Sequence, residues 1–420
     1  MSTETILILG GSFAGIGAAH YALRHTIPQL PKKDGITYTV TLVNPSKEFY
    51  WRIAGPRAVV SKTMVPPRKY LYPIEPGFAY AKGSFHFVQG TATHVDTAGQ
   101  TVSVSTPSGQ QSIQYAALII ATGFTTPSPL FTQPIDGPDL ESVYNDFQKD
   151  LQTAKHVVIG GGGPVGVETA GEIAEFLNGK PGFLSSSPKH YRTKVTLVCA
   201  DKKMLPVLRE AISKKAEKYL KRLGVDVLYN TKVVSATPNE DGKTPVQLGN
   251  GETIEADLYI DATGVRPNTS FLPKEWLDTR NRISSNPRTL RVDAAGPRVY
   301  ALGDVGSYSR GGAMDLQDAL PVVMTNLKTD LASHISGQAP GPDRLYTSNS
   351  KESQLVPVGT GKGVGAMMGW KLPSFFVWMI KGRDYMIGML AVPTVNGDAW
   401  KKEKKWKPSV QVGEKGLSRG

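Results

Sequence analysis

Short apolar runs punctuate the chain at residues 5–9, 37–43, 118–120, 156–159, 194–198, 258–260 and 298–302. Runs of this length, rich in Val, Ile and Leu and bounded by turn residues, predict buried strands of a parallel sheet. Residues 37–43 alternate, with Thr at 37, 39 and 41, and predict a strand with one more polar face. Residues 16–24 predict an Ala-rich helix. Residues 209–223 predict an amphipathic, Lys-rich helix with a solvated face, closed by Gly224. Residues 28–35, with two prolines and two lysines, predict a surface insertion. Strands alternating with helices make this an α/β chain, and its 420 residues give room for two or three domains.

The turn after the first run reads Gly10-Gly11-Ser12-Phe13-Ala14-Gly15. The turn after residues 156–159 reads Gly160-Gly161-Gly162-Gly163-Pro164-Val165-Gly166. Each lies between a predicted strand and a predicted helix, the setting in which a glycine turn receives the diphosphate of a dinucleotide. Gly10 permits the tight turn, Gly15 lets helix and strand approach, and bare amides at the helix start attract phosphate. Ser12 stands in the place of the second glycine, whereas Gly161, Gly163 and Gly166 complete the motif in the second copy. The copies begin 151 positions apart, about one domain length. The next strand of each unit should meet the adenosine ribose at its end. Those ends are Asn44 and Cys199-Ala200, neither of them the usual acid, although Asn44 can still bond a ribose hydroxyl. Three more strands end in turns: Ala121-Thr122-Gly123, Ala262-Thr263-Gly264 and Gly303-Asp304.

The composition narrows the chemistry. Apolar residues at 40% and charged residues at 20% describe a folded chain. The single cysteine, Cys199, excludes an intramolecular disulphide, a multi-cysteine zinc site and a redox-active dithiol, and reads as a small core residue. No metal is expected. A formal charge of +12 suits nucleic acid, an anionic membrane or phosphorylated small molecules, but no nucleic-acid-binding module is legible and none is expected as a partner. No Lys or Arg precedes Arg24, Ser2 stands where a myristoylation signal has glycine, and no apolar run reaches the ~18 residues of a membrane span. The expected location is intracellular and cytoplasmic.

The order of these motifs resembles the pyridine nucleotide–flavin oxidoreductases, and within them the apoptosis-inducing-factor group, especially its ferroptosis-suppressor (mitochondrion-associated 2) branch. The resemblance covers most of residues 4–330 and extends to 355–390. It implies two Rossmann-like dinucleotide-binding domains, the first interrupted by the second, with a smaller C-terminal α+β region. The implied FAD domain is 1–126 with 262–340, the implied NAD(P)H domain is 127–261, and residues 341–420 cap the flavin. Carried over residue by residue, Gly10, Gly11, Ser12, Phe13, Ala14 and Gly15 take the FAD diphosphate, and Asn44 the ribose. Arg57, in the segment Phe49-Tyr50-Trp51-Arg52-Ile53-Ala54-Gly55-Pro56-Arg57, is the implied phosphate or ring contact. Ala92 takes the place of a main-chain adenine contact. Ala121, Thr122 and Gly123 flank the cofactor, and Gly303-Asp304 returns to its ribityl chain, unless Asp304 is simply an exposed turn acid. Gly161, Gly163, Pro164, Val165 and Gly166 take NAD(P)H, with Gly264 in the turn that mirrors Gly123.

Glu168 matches a glutamate near the nicotinamide–flavin junction; a helix-start acid is also favoured by the helix dipole alone. Asp201, Lys202 and Lys203 follow the second unit's strand, and either lysine can meet a 2′-phosphate, which inclines the choice toward NADPH. Without a dithiol, electrons must leave the flavin directly. The favoured activity is an FAD-dependent NAD(P)H:quinone oxidoreductase, with hydride passing from nicotinamide to flavin and then to a quinone-like acceptor. The alternatives are a reductase of a ferredoxin-like carrier or biosynthetic intermediate, and a non-enzymatic apoptosis or signalling flavoprotein. Phe375, Phe376, Trp378 and Met379, with the Lys- and Trp-rich residues 400–407, suit a membrane interface such as the mitochondrial outer surface. The same residues equally suit a cap on the flavin with a solvated tail.

Overall fold

The computed structural model describes residues 2–134, 139–182, 185, 187, 188 and 190–408. The apolar runs assemble into two parallel sheets. In the first, the strands lie in the order Val299–Ala301, Ala117–Ile120, Ser2–Leu9, Ile36–Asn44 and Phe85–Gln89. All four pairings are parallel, with Ile6 opposite Val40 and Ala117, and Leu9 opposite Val43 and Ile120. The second sheet runs Val225–Leu228, Lys194–Val198, His156–Gly160 and Leu258–Asp261, again all parallel. Both faces of such a sheet are covered, so its strands need no polar side, and Ile6, Leu7, Ile8 and Val157, Val158, Ile159 are fully buried.

The two units repeat one plan. In each, a three-stranded antiparallel meander (residues 91–114 and 233–256) precedes the strand that ends in Ala-Thr-Gly. The helices are α1 (Phe13–Tyr21), α2 (Gly55–Ala58), α3 (Leu140–Thr153), α4 (Pro164–Asn178), α5 (Glu210–Arg222), α6 (Ala313–Ser336), α7 (Ser374–Val377) and α8 (Val392–Val395).

Helix α1 begins three residues before the predicted start, directly at the glycine turn, and widens into a π-turn over Ala22–Thr26. Residues 28–35 are largely exposed, but Leu30 is buried and pins them to the core. Gly359-Thr360-Gly361 turns a hairpin between the strands Gln354–Val358 and Lys362–Met367.

The C-terminal region corrects one expectation. Trp400 is only 4% exposed, with its ring edge-on to Tyr21 at 5.9 Å and its indole against Gly17 of α1. It is consumed by packing on α1 and has no free face for a membrane. Phe375, Phe376 and Met379 remain exposed, joined by Met389 and Val392. No helix among the described residues is long and apolar enough to cross a membrane.

Candidate functional site

The two glycine turns have nearly the same backbone. Gly10 has φ +108° and Gly161 φ +118°, a region open to glycine at little cost. A β-carbon on Gly10 would lie 2.4 Å from the Ala121 carbonyl oxygen, and one on Gly161 would lie 2.4 Å from that of Ala262. The third glycines are equally tight: a β-carbon on Gly15 would reach the Gly10 oxygen at 1.7 Å, and on Gly166 the Gly161 oxygen at 2.0 Å. Each turn ends in a helix N-cap, Ser12 for α1 and Gly163 for α4, and neither caps its helix with a side chain. The first amides of both helices therefore stay free to bind an anion.

A cavity of about 370 Å³ opens beside the first turn. Its walls include Gly10, Gly11, Ser12, Asn44, Ala92 and Thr122, six of the residues expected there. Asn44 Oδ1 accepts a hydrogen bond from Gly11 N at 2.7 Å, and Asn44 Nδ2 donates to the Ser46 carbonyl at 2.7 Å, so the amide is fixed at the cavity edge. Thr122 Oγ1 donates to the Asn268 carbonyl and Asn268 Nδ2 donates back to that of Thr122, at 2.8 and 2.9 Å. That exchange ties the Ala-Thr-Gly turn to the strand returning from the second unit.

Several expected residues lie beside this cavity rather than on its wall. Gly303 packs its Cα side against the Ala14 methyl of α1. Asp304 Oδ1 accepts bonds from Ser309 Oγ and Gly312 N, both at 3.2 Å. Phe13 packs inward on Phe49 at 5.0 Å. Gly123 and Gly264 have φ of +62° and +61° at the two Ala-Thr-Gly ends, with open space where a side chain would be. Pro164 and Val165 form the first turn of α4.

Arg57 is placed differently from expectation. It does not line the cavity. Its guanidinium is buried against Glu172 of α4, with bonds of 3.0 and 2.7 Å, and donates to the Arg383 carbonyl at 3.0 Å. Three of its five N–H donors are taken up this way, and its charge is already balanced by Glu172. Arg52, five residues earlier, faces the cavity instead. It lies over the Phe124 ring at 4.8 Å, and among the described residues no carboxylate pairs with it. Burial pulls its guanidinium below the ordinary arginine range, against the opposing charges of Tyr50 and Asp304. A half-buried cation without a counter-ion gains most when a ligand supplies the negative charge. An open cavity, free helix amides and this unpaired cation together fit a diphosphate-bearing cofactor. The sequence held a signal for Arg52, since it lies in the same flavin-side segment as Arg57, but nothing in the sequence says which arginine turns inward.

At the second turn, the end of the strand Lys194–Val198 carries Cys199, whose Sγ packs against Gly162 so closely that a β-carbon there would lie 2.3 Å away. Burial pushes its thiol above the ordinary value. Lys203 is held by the Leu208 carbonyl, which leaves Lys202 as the exposed cation at this end.

Glu168 projects from the second turn of α4 and is 2% exposed. Its Oε1 accepts from Lys381 Nζ at 2.5 Å, and that ammonium also donates to the Leu355 carbonyl at 3.1 Å. Burial pushes the Glu168 carboxyl up to about 7, with Lys381 opposing the rise and Glu172 adding to it. Lys381 escaped sequence reasoning, because there it only ends an apolar run. Its signal was a lone cation closing an otherwise apolar stretch. Glu172 escaped too, although two acids four residues apart in an apolar helix mark buried carboxylates that each need a cation from elsewhere.

Comparison with known proteins shows the family and the fold. The family model described as pyridine nucleotide-disulphide oxidoreductase matches residues 4–321. The chain is 43% identical over 396 residues to "Oxidoreductase phnG" of Penicillium herquei, covering 92% of this chain and 94% of that one. It is 27% identical over 403 residues to "Ferroptosis suppressor protein 1" of Xenopus laevis, covering 91% and 93%. Among solved structures it superposes on the sulfide:quinone oxidoreductase of Aquifex aeolicus with a TM-score of 0.69 at 16% identity, covering 94% and 92%, a likeness of fold.

Proposed function

This chain belongs to the pyridine nucleotide-disulphide oxidoreductase family, and on that premise we propose that it moves electrons from NAD(P)H through FAD to a quinone-type acceptor without a redox dithiol. The observation that carries this is the pairing of two near-identical glycine turns with one cysteine. The family name implies a disulphide step, and Cys199 has no second cysteine to pair with and lies buried. Bound FAD would supply the ring that accepts hydride and passes two electrons on.

The chain's own residues bind and orient. In this reading residues 1–126 with 262–340 form the FAD domain, 127–261 the NAD(P)H domain and 341–420 a cap over the flavin. Gly10 to Gly15 with Ser12 cradle the FAD diphosphate, Arg52 supplies its counter-charge in place of Arg57, and Asn44 and Ala92 meet the adenosine. Thr122, Gly123 and Asp304 bound the rest of the cofactor. Gly161 to Gly166 cradle the coenzyme, and Lys202 is the cation that a 2′-phosphate would meet, which favours NADPH. Glu168 with Lys381 borders the nicotinamide. Reduction of a quinone by NAD(P)H consumes one proton, and a carboxyl that titrates near 7 can hold that proton at neutral pH.

The exposed Phe375, Phe376, Met379, Met389 and Val392 support a peripheral membrane contact, where a lipid-soluble quinone would be met. Anaerobic reduction followed by reoxidation with quinones, dioxygen, ferredoxin-like carriers and biosynthetic intermediates tests the acceptor. Quinones should reoxidise the protein fastest, and the rate should rise with liposomes. Faster reoxidation by a carrier protein would displace this reading.

A further inference from the structure

Glu168, Glu172 and Glu175 follow one another along α4 at spacings of four and three residues, so they share a face. Each is engaged from the C-terminal region. Lys381 holds Glu168, the Tyr385 hydroxyl donates to Glu172 Oε1 at 3.1 Å, and the Thr360 amide donates to Glu175 Oε2 at 3.1 Å. Glu172 also receives the two bonds from Arg57 of α2, with side chains 6% and 0% exposed. One buried ion pair thus joins the first unit, the second unit and the C-terminal region.

The chain just after Lys381 is strained. Tyr385 and Met386 have φ of +54° and +63°, a region that side chains with a β-carbon rarely adopt. Such strain persists only where the surroundings over-determine it. Here they do. Trp51 Nε1 donates to the Tyr385 carbonyl at 3.0 Å, Arg57 donates to the Arg383 carbonyl at 3.0 Å, and the Arg57 guanidinium lies over the Tyr385 ring at 4.7 Å.

We propose that Arg57, Glu172 and Tyr385 are positioning residues that hold the strained turn so that Lys381 Nζ meets the Glu168 carboxylate. The inference rests on the reading of Glu168 as the group beside nicotinamide. None of the three touches coenzyme or flavin; each positions Lys381, and Glu172 and Arg57 also bear on Glu168 directly through their charges. The charged and titratable groups facing Glu168 are Lys381 and the Tyr385 hydroxyl from the C-terminal region, Glu172 from its own helix and Arg57 from α2. Release of the turn draws the ammonium away and leaves Glu168 with less cationic support.

The test compares Tyr385→Phe, Lys381→Met and the double variant as holoenzymes, by transient flavin reduction with NAD(P)H across neutral pH. Tyr385→Phe should slow the limiting reduction rate about tenfold, with FAD content unchanged and coenzyme affinity within about twofold. Its pH midpoint should move upward from about 7, because Lys381 holds the Glu168 carboxyl down. The double variant should match Lys381→Met alone, since both act on one contact. Additive losses, an unmoved midpoint, or FAD loss with an unchanged rate per flavin would overturn the inference. If Tyr385→Phe does not fold, Arg57→Lys, which keeps the charge but not the fork, is read the same way. Glu168→Gln separates the two claims: if it leaves reduction unchanged, the nicotinamide reading fails. If it slows reduction and Tyr385→Phe does not, only the positioning role fails.

Discussion

The two glycine turns differ little in backbone and greatly in surroundings. Both bend at a positive-φ glycine under an Ala-Thr-Gly carbonyl, and both pack the third glycine onto the first. Around the first, Asn44 bonds the Gly11 amide, and a cavity with an unpaired Arg52 opens beside it. Around the second, a buried thiol covers Gly162, and an acid–ammonium pair lies one turn up the helix. In the proposed function, the turn therefore sets only that a diphosphate binds. The strand end and the nearest charges set which dinucleotide, and what happens to it.

The largest expected effect separates the two turns. Gly15→Ala forces a methyl onto the Gly10 carbonyl oxygen, and Gly166→Ala does the same at Gly161. Gly15→Ala should yield protein without FAD. Gly166→Ala should keep stoichiometric FAD that NAD(P)H no longer reduces, as read by flavin absorbance and stopped-flow mixing. Interchanged phenotypes would break the assignment.

The helices that leave the turns should respond to pH in opposite senses. His20 of α1 is buried between Phe78 and the C-terminal segment, and bonds Tyr80 and the Val395 carbonyl at 2.9 and 2.7 Å. Burial lowers its pKa from 6.5 to about 4, with the Val395 bond and Asp398 opposing and Arg24 assisting. A depressed histidine stabilises the fold above pH 6.5, and that contribution is lost as pH falls toward 4, up to about 3 kcal/mol. Glu168 runs the other way. Its raised pKa favours the fold below 4.5, an advantage that disappears as pH rises through about 7. Thermal unfolding against pH should show His20→Gln losing the acid limb and Glu168→Gln losing the slope between 4.5 and 7.

Arg52→Met should weaken FAD binding by about 1.5–3 kcal/mol, the scale of a charge-assisted hydrogen bond, as measured by reconstitution of apoprotein. Equal FAD affinity would return the anchoring role to another residue. The smallest effect is at Lys202. Lys202→Glu should raise the Kd for NADPH about fivefold and leave that for NADH little changed, since an exposed charge contributes up to ~1 kcal/mol. Equal shifts for both coenzymes would remove the 2′-phosphate contact.

The strands and both turns were legible because their signals are local: an apolar run, a glycine where φ must be positive, a helix start. Asn44 and Ala92 were legible through their place after a motif. Arg52 and Arg57 were not distinguishable, because both lie in one short segment and only tertiary packing decides that Arg57 turns to Glu172. Lys381 lies 213 residues beyond its partner, and no periodicity links them. Trp400 read as an interfacial aromatic among lysines, and only the small face of Gly17 on α1 shows that it is core. Contacts of high sequence separation leave no pattern in a single chain.

A crystal structure of the purified protein grown with NAD(P)H under anaerobic conditions tests the central claim most directly. It should show an FAD diphosphate on Gly10 to Gly15 with Arg52 at its phosphates, and a coenzyme diphosphate on Gly161 to Gly166. The nicotinamide should lie between the flavin ring and Glu168. An FAD bound elsewhere, or a second turn whose coenzyme points its nicotinamide away from the flavin, would contradict it.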